Sequence, residues 1–90
     1  MKRYLMIASG RVQGVGFRYF VLLIAKKTQV TGTVRNQSNG MVEIMVQGDE
    51  NQIETFKAQL MKGNGFSRID DLSTKEVPLI EKEKAFRISY

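Results

Sequence analysis

Residues 10–18 read Gly-Arg-Val-Gln-Gly-Val-Gly-Phe-Arg and hold the side chains with the most evident chemistry in the chain. Gly10, Gly14 and Gly16 let the backbone take positive φ, so that successive N–H groups can turn inward around an anion. The apolar helical pattern that follows adds N-terminal N–H groups and a dipole of the same sign. Arg18 then supplies a planar fork of donors matched to phosphoryl oxygens. The same glycines also suit an ordinary tight turn between a strand and a helix. Neither common phosphate motif is present. Tyr19 stands where the dinucleotide fingerprint needs a glycine, and Gly14-Val15-Gly16 stands where a P-loop needs Gly-Lys-Ser/Thr.

What is missing narrows the chemistry further. The chain has no cysteine and no histidine, which excludes thiolate nucleophiles, phosphohistidine, disulfides, and zinc or iron sites built on those ligands. The remaining carboxylates and hydroxyls lie in no recognisable activated setting, so an enzyme with this inventory acts on water by positioning it. Charge is unevenly placed. The net charge is +5, but residues 1–42 carry +7 with no acid before Glu43, and the rest carries −2. This favours an anionic partner near the first half, a small phosphate compound or nucleic acid; a solvated basic face is the alternative.

Ninety residues predict a single domain over 1–90 with a modest core. No apolar run approaches the roughly 18 residues of a membrane span. The stretch after Met1-Lys2-Arg3 is short, alternates, and lacks a small-residue cleavage site, from which a cytoplasmic location is expected.

Alternation predicts a first strand over Tyr4–Ser9, apolar on both faces and therefore central in its sheet. Phe20, Val21 and Ile24 predict a helix over 17–28. A second strand, Val30–Asn36, places Val30, Gly32, Val34 and Asn36 on one face. Asn39-Gly40 predicts a two-residue hairpin turn into a third strand, Met41–Gln47, with Val42, Ile44 and Val46 inward and Glu43, Met45 and Gln47 outward. Asp49 and Gln52 form a capping-box pattern for a helix over 50–62, which Gly63 stops. A polar edge strand over 68–77 ends at Pro78, and Lys84–Tyr90 alternates as a last strand. The order is that of an α+β, ferredoxin-like βαββαβ sandwich, with two helices on one face of a mainly antiparallel four- to five-stranded sheet. A right-handed crossover then makes the first two strands run the same way, so the glycine loop and Asn36 become neighbours. Asn36 is an amide on an apolar face. It serves either to brace the hairpin or to hold a water.

With GRVQGVGFR, GTVRN (32–36), NGMVE (39–43) and the final FRISY in place, the chain resembles the acylphosphatase family over essentially its whole length. The resemblance implies metal-free, cofactor-free hydrolysis of an acyl phosphate to a carboxylate and inorganic phosphate. It implies that Arg18 and the loop residues Arg11, Val12, Gln13, Gly14, Val15, Gly16 and Phe17 hold the phosphoryl group, and that Asn36 orients the attacking water. It also implies a monomer acting on a small molecule, with no nucleic-acid or membrane partner. Two positions depart from the family pattern beside the expected water site: Thr33 replaces a common tryptophan, and Gln37 replaces a threonine or serine.

The implied reaction suits the inventory. A loose phosphoryl-transfer transition state asks mainly for positioning and charge stabilisation. A leaving carboxylate, with a reference pKa of about 4, departs without a proton donor. Two other readings remain. One is a noncatalytic acyl- or carbamoyl-phosphate binding module. The other is an RNA-binding ferredoxin-like domain, since Gly14, Gly16, Phe17 and Phe20 match positions of the ribonucleoprotein signature, although that signature belongs on a strand. Asp70-Asp71 is a weak metal candidate, because neighbours on a strand point to opposite faces.

Overall fold

Caps and turns divide the chain where the sequence pattern places them. In the computed structural model, which describes residues 1–90, the elements are β1 (Lys2–Arg11), α1 (Phe17–Thr28), β2 (Thr31–Asn36), β3 (Val42–Gly48), α2 (Glu50–Lys62), β4 (Arg68–Val77) and β5 (Phe86–Ile88). Helix α2 starts at a complete capping box: the Gln52 N–H donates to Asp49 Oδ1 at 2.8 Å, and the Asp49 N–H donates to Gln52 Oε1 at 2.9 Å. Gly63, at φ +76°, ends it. These bonds satisfy donors that the first turn would otherwise leave free.

The five strands are ordered β4-β1-β3-β2-β5. All neighbours are antiparallel except β2 and β5, which run parallel. Both helices cover one face, where Met6, Ala8, Val34, Val42, Ile44 and Val46 meet Val21, Ile24, Ile53, Phe56 and Leu60 in one core. The architecture is the expected ferredoxin-like one, with β4 as a polar edge. Because β3 lies between β1 and β2, those two strands run the same way without touching. Their C-terminal ends share one end of the sheet, which sets the 12–16 loop beside Asn36.

Three details differ from the sequence reading. The hairpin between β2 and β3 is not a two-residue turn. The Gln37 N–H bonds to Met41 O at 2.8 Å and the Gly40 N–H to Gln37 O at 3.3 Å. Only Gly40 has positive φ, +88°, as in a three-residue loop built on an ordinary turn followed by one left-handed residue. The last strand is only Phe86–Ile88, the residues that pair in parallel with Gly32, Thr33 and Val34 of β2. Finally, Gln47 points away from the helices as expected but is buried. The segment after β4 folds back over it: the Ile80 N–H donates to Gln47 Oε1 and Gln47 Nε2 donates to Ile80 O, both at 3.0 Å.

Arg3 is the charged anchor of that covered patch. It is 3% exposed and donates to Glu83 at 2.8 Å and to Gln47 Oε1 at 3.2 Å. A buried pair adds little net stability over apolar packing, but removing one partner strands the other. Arg3→Ala is expected to cost about 3 kcal/mol. A fall in the urea midpoint at unchanged slope checks this.

Candidate active site

The site is built where β1 hands over to α1. A bulge falls between Ser9 and Gly10, and β1 continues against β4 through the pairs Gly10–Ile69 and Arg11–Arg68. A Cβ on Gly10 would lie 2.3 Å from Arg68 O, so this glycine allows close packing of β4 and takes no part in a cradle. Arg11 is exposed in the same ladder. The turn itself comes next. Gly14 and Gly16 have φ of +72° and +71°, and a Cβ at either would meet nothing within 4 Å. Backbone conformation alone therefore asks for glycine there; another residue would be strained by roughly 1–2 kcal/mol.

Gly16 caps α1 with no side-chain hydrogen bond, and the first turn contains no acid. The first intrahelical bond is Phe20 N–H to Gly16 O, at 3.1 Å, and no backbone carbonyl accepts from the N–H groups of Gly14 to Tyr19. Such a run of unpaired donors at a helix start suits an anion by its geometry and dipole. It borders a cavity of about 330 Å³ lined by Val12, Gly14, Gly16, Phe17, Arg18, Tyr19, Asn36, Ile88 and Tyr90.

Arg18 is half-buried and takes part in none of the ion pairs, which engage Lys2, Arg3, Arg35 and Arg68. Its guanidinium lies 5.0 Å from the centre of the Tyr90 ring, a contact that leaves its N–H donors free. Asn36, at the end of β2, brings the second polar group. Its Oδ1 is buried and has no hydrogen-bond partner in the protein. Such an atom costs about 1–3 kcal/mol, and native proteins rarely leave one without a reason.

Of the residues singled out by sequence, Val12, Gly14, Gly16, Phe17, Arg18 and Asn36 meet at the cavity. Arg11, Gln13 and Val15 do not line it. Gln13 instead donates from Nε2 to Gln37 O at 2.8 Å and to Met41 O at 2.9 Å, tying the loop to the hairpin beyond Asn36. The Val15 carbonyl accepts from Asn64 Nδ2 at 3.0 Å. Thr33 was expected beside the water site but alternates to the opposite face of β2, where it lines a groove with residues 80–85 and Arg87. Gln37 does lie next to Asn36, around a separate polar hollow with Ser38 and Asn39. Phe17 and Phe20 turn toward the core with ring centres 6.1 Å apart. Asp70 pairs with Arg68 at 2.7 Å, and that bond holds its carboxyl below the usual range.

Sequence reading missed Tyr19, Ile88 and Asn64, and could not place the C-terminal Tyr90 relative to the basic site. Alternation over Lys84–Tyr90 puts Ile88 and Tyr90 on one face, and the parallel pairing of β5 with β2 brings these two to the cavity. Nothing in local spacing links Asn64 to the loop.

Unpaired donors thus converge at one end of the sheet of an α+β protein of the ferredoxin-like class. The comparisons with known proteins are specific. The acylphosphatase family model matches residues 4–88. An acylphosphatase of Clostridium beijerinckii is 49% identical over 90 residues, all of both chains. The crystal structure of acylphosphatase from Bacillus subtilis superposes with a TM-score of 0.94 at 42% identity, covering 100% of each chain. Full-length HypF, solved in a phosphate- and nucleotide-bound form, matches 99% of this chain with 12% of its own, at 38% identity and a TM-score of 0.86. The chain belongs to the acylphosphatase family, and its reaction is the hydrolysis of acyl phosphates.

Proposed function

We propose that the N–H groups of the 14–19 turn and the Arg18 guanidinium hold the phosphoryl group, and that Asn36 orients the attacking water, with no metal ion. The observation that carries this reading is that Asn36, whose Oδ1 has no hydrogen-bond partner in the protein, lines the same cavity as Arg18, an arginine with no carboxylate partner. A water placed by that oxygen attacks phosphorus as the bond from phosphorus to the acyl oxygen breaks. The carboxylate leaves with the bonding electrons. One water proton stays on the attacking oxygen and the other passes to a phosphoryl oxygen, since Asn36 has no basicity to take it. Arg18 and the N–H groups stabilise the phosphoryl oxygens throughout.

The test is release of inorganic phosphate from an aryl acyl phosphate with and without chelator. The expected result is a rate well above background, unchanged by chelator and competitively inhibited by inorganic phosphate. A rate abolished by chelator overturns the metal-free mechanism. A noncatalytic binder is the outcome if phosphate binds but no rate is seen. The inward orientation of Phe17 and Phe20 argues against base stacking by an RNA-binding signature. The reading includes a monomer in the cytoplasm. No helix of the chain is long and apolar enough to cross a membrane.

A further inference from the structure

We infer that Asn64, in the loop after α2, is a positioning residue that aims the Gly16 N–H into the phosphoryl site. The inference rests on the reading that the 14–19 turn binds the phosphoryl group. Asn64 Oδ1 accepts from the Phe66 N–H at 2.9 Å and from the Ser67 N–H at 2.8 Å. Two backbone donors on the oxygen fix the orientation of the amide, so its NH2 group is the one that faces the loop. That group donates to Val15 O at 3.0 Å, in a partly buried contact between segments 49 positions apart.

The consequence follows from peptide geometry. In a planar trans peptide the C=O and the next N–H point in opposite directions. Holding Val15 O toward Asn64 therefore turns the Gly16 N–H the other way. Gly16 lines the cavity while Val15 does not, and no backbone carbonyl accepts from the Gly16 N–H. A flip of this peptide changes ψ of Val15 and φ of Gly16, and Gly16, held in the left-handed region, accepts either sign of φ, so the turn by itself does not lock the peptide. Asn64 removes that freedom from outside the site.

Asn64→Ser and Asn64→Asp test this. Both side chains can still accept from the two N–H groups of their own turn, but neither donates an amide hydrogen to Val15 O. The serine variant is neutral, which separates loss of the donor from an added charge. Inorganic phosphate binding and steady-state kinetics on an aryl acyl phosphate are measured for the wild type, both variants and Arg18→Ala. In Asn64→Ser, KM and the phosphate dissociation constant are expected to rise roughly three- to tenfold, the worth of one hydrogen bond. Its kcat should stay near the wild-type value, as for an interaction made alike in ground and transition states. Asn64→Asp should lose more, because its carboxylate faces a carbonyl oxygen. The Gly16 amide signal in nitrogen-15 NMR should shift with phosphate in the wild type, and shift less in whichever variant is folded.

Unchanged KM and phosphate affinity in Asn64→Ser, alongside collapse in Arg18→Ala, overturns the role of Asn64 and leaves the phosphoryl site intact. Unchanged phosphate affinity in Arg18→Ala overturns the phosphoryl site itself. If Asn64→Ser does not fold, the Gly16 signal and the KM of Asn64→Asp decide, and an unperturbed pair of values there also overturns the inference.

Discussion

Arg18→Ala is expected to lower kcat/KM for an aryl acyl phosphate by about a thousandfold, the scale seen when a charged donor to a transferring phosphoryl group is removed. The size follows from what surrounds the side chain. No carboxylate neutralises it, and it lines the cavity together with the unpaired N–H groups of the turn. Its full charge is available to the substrate. Arg18→Lys keeps that charge but loses the planar fork, so it should recover only part of the rate. Stability should move the other way. A cation in the first turn of α1 opposes the helix dipole, an effect of about 0.3–1 kcal/mol near the surface. Removing it should leave Tm unchanged or slightly raised. Parallel measurement of kcat/KM and Tm checks both halves. A fall in both would mean that Arg18 supports the fold and that its place in the cavity is incidental.

The same residue shows how much of the site was legible in the sequence. Arg18 and Asn36 could be brought together from strand order alone, because one right-handed crossover places the ends of β1 and β2 at the same end of the sheet. Alternation and capping likewise located both helices and the polar edge strand. Side-chain direction within the loop was not legible. Gln13 and Val15 sit in the same motif as Gly14 and Gly16, yet one braces the β2–β3 hairpin and the other is held by Asn64. No periodicity governs a turn with two left-handed residues, so spacing could not divide the motif into donors that face the cavity and groups that fasten the loop. Gly10 was misread for a related reason. Its glycine answers the close approach of β4, a tertiary contact that a sequence does not display.

Asn36→Ala is the second large effect, and it should separate from the first in kinetics. If Asn36 places the attacking water and does not hold the phosphoryl group, its loss should lower kcat by about a hundredfold to a thousandfold, consistent with loss of orientation, and leave KM nearly unchanged. Inorganic phosphate should still bind, unlike in Arg18→Ala. Stability again gives an independent reading. The Oδ1 atom is buried without a protein partner, a state that costs about 1–3 kcal/mol. Alanine removes that atom and leaves a small gap at the end of β2, so the two changes should largely offset and Tm should not fall. Were Asn36 instead a brace for the hairpin, its loss would lower Tm with little change in kcat. Asn36→Asp sharpens the distinction: a carboxylate there faces the phosphoryl oxygens, and its repulsion should raise KM as well as lower kcat. An asparagine that keeps a buried oxygen unpaired at a cost to the fold, and whose replacement by alanine spares Tm but not turnover, is one held in place for the reaction.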